Sequence, residues 1–369
     1  MKALLSRTAG GPETLRVEDL PSPAPAKGEV VVTVAAVGLN FPDLLIIRDQ
    51  YQFKPQRPFA PGAEIAGTVT AVGEGVADLA PGTRVLGFPG WGGLAEQVAL
   101  GRALVTPIPD AMPFADAAAF LMTYGTSYHA LTDRAQLKPG ETLLVLGASG
   151  GVGLAAVELG KALGARVLAA CSSQEKLDVA LAAGADDGLV YPASLDDKDA
   201  SRALAERFKT LCGKHGAQVI YDPVGGGYVE PALRAIAWEG RYLVVGFPAG
   251  IAKLPMNLPL LKACSVIGVF WGAATQRNPA RHVQSVQELF ALYQELGRRL
   301  DMPRLPRLYV VNGNGVVNAF ALECNKRYNY VVIHAEIAML LPRAPEIVAF
   351  VLAHELGHQP GHGRVAGHK

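Results

Sequence analysis

Residues 141–165 constrain this chain more than any other stretch. Leu143–Leu146 is a short apolar run with Pro139-Gly140 before it and Gly147 after it, the mark of a buried parallel strand. Glycines then fall at 147, 150, 151 and 153, and Val152–Leu163 carries apolar residues at helical spacing. Strand, glycine turn and helix in that order make a phosphate site. Missing Cβ atoms let the backbone approach a pyrophosphate, and the helix start offers unpaired N–H groups and a positive dipole end. A glycine motif alone is weak, but here it has the flanking strand and helix its mechanism demands. Gly147, Ser149, Gly150, Gly151, Val152 and Gly153 are the candidate pyrophosphate-binding residues of a doubly wound α/β domain.

The next strand says which dinucleotide. An NAD site usually places Asp or Glu about 20 residues past the glycines, to bind the ribose 2′-OH. That region holds Ser172 and Ser173 instead, with Lys176 following. Two hydroxyls and an ammonium suit a 2′-phosphate, which a carboxylate would repel, so the expected cofactor is NADPH rather than NADH. The serines also read as the cap of a helix opening at Glu175-Lys176, and both roles are compatible.

Composition narrows the rest. The net charge is +1 over 369 residues, without a long run of one sign, so no nucleic-acid partner is expected. Four separated cysteines (171, 212, 264 and 324) show no CxxC spacing and read as reduced thiols. No signal peptide and no membrane span is expected, and the reduced thiols lead to the expectation of a cytoplasmic protein.

Residues 1–125 read as mostly β. Glycine-closed, β-branched runs lie at Gly28–Val37 and Gly67–Gly73, with shorter strands at Gly82–Gly87 and Leu94–Ala99. Between them stand Val37-Gly-Leu-Asn-Phe-Pro-Asp43, Tyr51 and Pro58-Phe-Ala-Pro-Gly-Ala-Glu-Ile-Ala-Gly67. Together with the glycine turn, these segments resemble the zinc-independent quinone oxidoreductases of the zeta-crystallin type, within the medium-chain dehydrogenase/reductase superfamily, over about residues 1–293. The resemblance implies a mostly β GroES-like catalytic domain (1–125, with a return segment 261–293), a Rossmann domain (126–260) and an active site in the cleft between them.

That resemblance also implies roles. Zinc-dependent relatives carry a His ligand where this chain has Ala63, and the cysteine lobe of a structural zinc is missing before residue 171. A quinone or conjugated enone accepts hydride without a Lewis acid, and positioning supplies much of the rate. Asn40 and Tyr51 are expected to face the nicotinamide and the substrate carbonyl, with Tyr51 donating to the developing oxyanion. Glu64 reads as a buried structural carboxylate. Residues 110–132 read as helical, and Thr126, in Thr123-Tyr-Gly-Thr126, matches a segment near the nicotinamide. Tyr191 corresponds to a residue against the adenosine phosphate, and Gly246 and Phe247 border the cofactor at a strand end. Residues 266–272 match a strand used for dimer formation, which implies a homodimer.

After Tyr293 the pattern changes. Residues 294–369 resemble a truncated HExxH metallopeptidase of the prenyl-protease and heat-shock membrane protease family, carried by Asn318-Ala-Phe320 and the helix 345–358. His354 and His358 share a helix face and can reach one zinc ion, with Glu355 as the base. A catalytic site needs a third protein ligand, and the family's later Glu is not found after His358. Weak zinc binding and no efficient proteolysis are expected. This end is an atypical α+β segment, and Leu308–Val311 and Tyr328–Ile333 have the strand character needed to pair with residues 1–125.

The leading reading is therefore NADPH-dependent reduction of a small quinone or enone without zinc. Two others stay open: a zinc peptidase carrying a reductase-like domain, and an NADPH-binding protein without turnover.

Overall fold

The computed structural model describes residues 1–195 and 198–299, and beyond them three short strands. The chain divides into two compact units, Met1–Leu121 with Arg304–Lys369, and Met122–Pro303.

The first unit is a mainly antiparallel sheet with a small satellite, in which β1 (Lys2–Leu5) pairs with β2 (Arg16–Asp19). In the main sheet β3 (Glu29–Gly38) pairs with β4 (Glu64–Val72), β4 with β5 (Arg84–Gly87), and β5 with β7 (Val105–Pro107). Val30, Val32 and Val34 recur with the period of two that puts side chains on one face. They pack there with Ile65, Val85 and Leu100. The other edge of β3 is shared. Residues Glu29–Thr33 pair with β6 (Gln97–Gly101), and Ala36–Gly38 pair with a strand from the far end of the chain.

The second unit holds β8 (Thr142–Leu146), β9 (Arg166–Cys171), β10 (Asp187–Val190), β11 (Ala217–Asp222), β12 (Ile236–Val244) and β13 (Ser265–Gly268). All are parallel, in the order β10-β9-β8-β11-β12-β13. Leu143–Leu146 are fully buried, as a strand covered on both faces must be. The chain leaves β8 in one direction for β9 and β10 and returns on the other side for β11–β13. The switch point between β8 and β11 is where open α/β sheets bind ligands, at the strands' carboxyl ends.

Three sequence expectations change here. The segment 261–293, expected to return to the N-terminal unit, stays with the second: β13 is the sixth strand of the parallel sheet, paired with β12 at four positions. Four apolar-rich residues gain a full parallel partner there, which the sequence alone does not reveal. The helical stretch expected over 110–132 is broken, with α-turns at Phe114–Ala118 and Thr126–Tyr128 and wider π-turns at Leu121–Gly125 and His129–Arg134. The helix expected at 285–293 runs from Pro279 to Arg299, across the point where the sequence pattern changes.

The far strands are β14 (Tyr309–Val311), β15 (Phe320–Ala321) and β16 (Val331–His334). β14 pairs antiparallel with Ala36–Gly38 of β3, β16 lies parallel to β14, and β15 pairs with β16. The C-terminal segment thus continues the sheet edge that ends two residues before Asn40. His354, Glu355 and His358 lie outside the described residues.

Candidate functional site

The glycine turn fits a phosphate because backbone fills what side chains would otherwise occupy. Gly147 ends β8 with φ +56°, in the left-handed region, and Gly150 caps the helix Gly151–Ala162 while its N–H donates to the Gly147 carbonyl at 3.0 Å. A Cβ on Gly153 would overlap the Gly147 carbonyl oxygen and stand 2.9 Å from its carbon. The helix therefore starts against the turn with no room for a larger residue. Its first N–H groups, at Gly151, Val152 and Gly153, have no intrahelical acceptor and point out of the helix start beside Ser149.

At the end of β9, Ser173 caps the helix Gln174–Ala182, accepting the Lys176 N–H at 3.3 Å. That commits one serine. The other is open to a ligand: exposed Ser172, just before the cap, accepts a hydrogen bond from Lys176 Nζ at 3.2 Å, the lysine reaching back from the first turn of the helix. Tyr191, just past β10, is buried with its ring 4.8 Å from that of Tyr228. Burial holds its phenol well above the usual range, and the Gly147 backbone hydrogen-bonds its oxygen, so it backs the glycine turn.

The far wall was less legible. Gly246 and Phe247 follow β12, and the Phe247 ring stands 47% exposed. Buried Asp222, which ends β11, shapes the facing loop. Its Oδ1 accepts the N–H groups of Val224 (2.8 Å) and Gly225 (2.9 Å), and its Oδ2 accepts the Tyr242 hydroxyl at 2.7 Å. Burial raises this carboxyl above its ordinary value despite those donors. An Asp followed by Pro-Val-Gly-Gly at a strand end is the sequence signal for such a turn.

Thr126 is half-buried. Its neighbour Ser127 donates to the Val152 carbonyl at 2.8 Å and shares a 2.9 Å hydrogen bond with the buried Tyr221 hydroxyl.

In the first unit, Asn40 caps the helix Phe41–Ile47. Its Nδ2 donates to Glu64 Oε1 at 2.9 Å, so buried Glu64 holds the amide. Its backbone N–H donates to Asp43 Oδ2 at 2.8 Å, and Asp43 Oδ1 accepts the Gly62 N–H at 3.1 Å. Asp43 is fully enclosed, and burial pushes its carboxyl up to about 6 although backbone N–H groups of Asn40, Gly62 and Ala63 pull the other way. Its carboxylate thereby ties the start of the helix Phe41–Ile47 to the loop at Gly62 and Ala63. Tyr51 is half-buried against Leu44, Ile47 and Phe59, and burial and the Asp43 charge both raise its phenol. It stays protonated at neutral pH and can donate. Among the described residues no group of three or more His, Cys, Asp or Glu side chains is placed to hold a metal ion. Among them, too, no helix is long and apolar enough to cross a membrane.

Comparison with known proteins agrees with this geometry. The family described as alcohol dehydrogenase GroES-like domain matches residues 26–110, and zinc-binding dehydrogenase matches 151–288. Peptidase family M48 matches 282–365, beginning inside the helix Pro279–Arg299. The chain is 39% identical over 269 residues to the quinone oxidoreductase-like protein 2 homolog of Nematostella vectensis, covering 72% of this chain and 71% of the relative. The quinone oxidoreductase of Thermus thermophilus, solved with and without NADPH, superposes with a TM-score of 0.66 at 35% identity, over 81% of this chain and 88% of that one. The Escherichia coli quinone oxidoreductase complexed with NADPH gives 0.71 at 28% identity, over 79% and 87%.

Proposed function

The chain belongs to the quinone oxidoreductase-like proteins of the medium-chain dehydrogenase/reductase superfamily, and from that premise we propose that it reduces quinones or conjugated enones with NADPH and without zinc. The observation that carries the cofactor reading is the Ser172–Lys176 pair at the end of β9. NADPH supplies the hydride. The N–H groups of Gly151–Gly153 hold the pyrophosphate, Ser172 and Lys176 the 2′-phosphate, and Phe247 covers one side. Asn40, fixed by Glu64, orients the substrate, and Tyr51 offers its proton to the developing oxyanion. Ala63 cannot ligate zinc, so the substrate must itself be electrophilic, as a quinone or enone is.

The ratio of kcat/KM with NADPH to that with NADH tests this reading. A hydrogen bond from a charged group contributes about 1.5–3 kcal/mol, so Lys176→Ala should lower the ratio roughly 10- to 100-fold with the NADH value little changed. An equal loss with both cofactors contradicts the assignment of Lys176 to the 2′-phosphate.

Two further parts of the reading have narrower support. The open edge of β13, beside Leu260 and Leu261 at 79% and 64% exposed, supports a homodimer built on that edge. The match to Peptidase family M48 supports weak zinc binding by His354 and His358, with Glu355 as the would-be base.

A further inference from the structure

The helical run 121–134 meets the cofactor helix Gly151–Ala162 through three side chains. A Cβ on Gly151 would stand 3.2 Å from the Thr123 methyl, so the threonine lies against the helix start. Ser127 donates to the Val152 carbonyl at 2.8 Å. Two turns further along the same helix, Tyr124 donates its hydroxyl to the Glu158 carboxylate. Gly125 sits against the Trp271 ring, where a Cβ would be 2.7 Å from the nearest ring carbon. The segment thus packs against both a ring and a helix.

Glu158 is the anomaly in this arrangement. It is 4% exposed on a helix whose other buried residues are Gly153, Leu154, Ala155, Ala156, Val157, Leu159 and Gly160. Desolvating a carboxylate is costly, and an apolar residue of similar size would pack there without that cost. A hydrogen bond from the Tyr124 hydroxyl is one thing the carboxylate provides that an apolar side chain could not. Tyr124 lies in the π-turn Leu121–Gly125, a local geometry frequent at functional sites. Tyr124 and Ser127 are buried, whereas Thr123, against the helix start, and Thr126 are only half-buried.

We propose that Tyr124 and Glu158 are a positioning pair. They fix the π-turn so that the Thr123 and Thr126 hydroxyls form one wall of the dinucleotide site, against the diphosphate and the ring it carries. Thr123 thereby joins Thr126 as a cofactor-contact residue. The proposal rests on the NADPH reading above.

The test uses the full chain with Glu158→Gln, Glu158→Leu and Tyr124→Phe, the last nearly isosteric and expected to fold. Three quantities are read: the Kd for NADPH by fluorescence quenching, kcat with its isotope effect from 4-deuterated NADPH, and amide exchange of residues 121–127 in the cofactor-free protein. A displaced contact residue costs about tenfold or more in rate. Tyr124→Phe and Glu158→Leu should therefore lose about tenfold in kcat with a larger isotope effect. Exchange over 121–127 should rise in both. Glu158→Gln, which keeps an acceptor for the phenol, should restore all three to near the parent values. Variants that lower the melting temperature while leaving kcat, Kd and the isotope effect unchanged overturn the proposal, because the pair is then structural only. Failure of Glu158→Gln to rescue overturns it as well. If the parent itself does not bind NADPH, the underlying cofactor reading has failed, and the proposal falls with it.

Discussion

Gly153→Ala should cost the protein both stability and its cofactor. The added methyl would overlap the Gly147 carbonyl oxygen and lie 2.9 Å from its carbon and 3.0 Å from Ala148 Cα. All three are backbone atoms of a turn between a fully buried strand and a buried helix, so no side chain can swing away. The helix must retreat by about 1 Å to restore an ordinary carbon–oxygen contact. Overpacking of this kind costs about 1–3 kcal/mol, or roughly 2–12 °C in melting temperature for a domain of this size. Retreat also moves the N–H groups of Gly151–Gly153 away from the turn, and NADPH affinity should fall at least tenfold. Thermal unfolding and NADPH titration of the variant check this. Parent values in both would mean that the glycine is not there for close packing.

Asp43 gives the second large effect, and its sign is unusual for an acidic residue. Its carboxyl is raised to about 6 in the folded state, from 3.8. Between about pH 4 and pH 6 the folded protein keeps a proton that the unfolded chain has released. Stability from this group is therefore fully present below about pH 4 and is lost as pH rises through 6, by about 3 kcal/mol in all. Asp133, Glu288 and Asp186 are lowered and act the other way, losing their contribution only as pH falls below the ordinary carboxylate range. Asp43→Asn should flatten the pH dependence of denaturant unfolding between pH 4.5 and 6.5, a window set by the value of about 6. At neutral pH it should change net stability little, because the amide loses one of the two acceptors for the Asn40 and Gly62 N–H groups as it sheds the buried charge. A variant with the parent's slope would show that Asp43 is ionised throughout.

How much of this was legible in the sequence depends on how local each feature is. The strand, glycine turn and helix of 142–162 could be read directly, because period, glycine spacing and flanking context all lie within some 20 residues. Ser172 and Lys176 stand four residues apart across a helix start and were equally readable. Asp43 carries a local signal as well: it stands three residues after the Asn40 cap, the spacing of a capping box. Glu158 and Asp222 were harder. Each is one polar residue in an apolar run, and its partner lies 34 or 20 residues away in sequence, Tyr124 for one and Tyr242 for the other. Pairing of β13 with β12 and of β14 with β3 depends on tertiary contacts across tens to hundreds of residues, which no periodicity encodes. The expected strand character at 308–311 was correct because β-branched runs are local. Its partner, the end of β3 just before Asn40, could be stated from the sequence only as a hypothesis.

The central claim is hydride transfer from NADPH to an electrophilic carbonyl compound without zinc. The most direct measurement mixes the purified full chain with NADPH and a small para-quinone, with a strong chelator present, and follows the loss of reduced-nicotinamide absorbance. A parallel run uses NADH. Rapid, quinone-dependent oxidation of NADPH that the chelator does not slow is expected, with much slower oxidation of NADH. NADPH that binds but is not oxidised by any quinone or enone, or turnover abolished by the chelator, would contradict it.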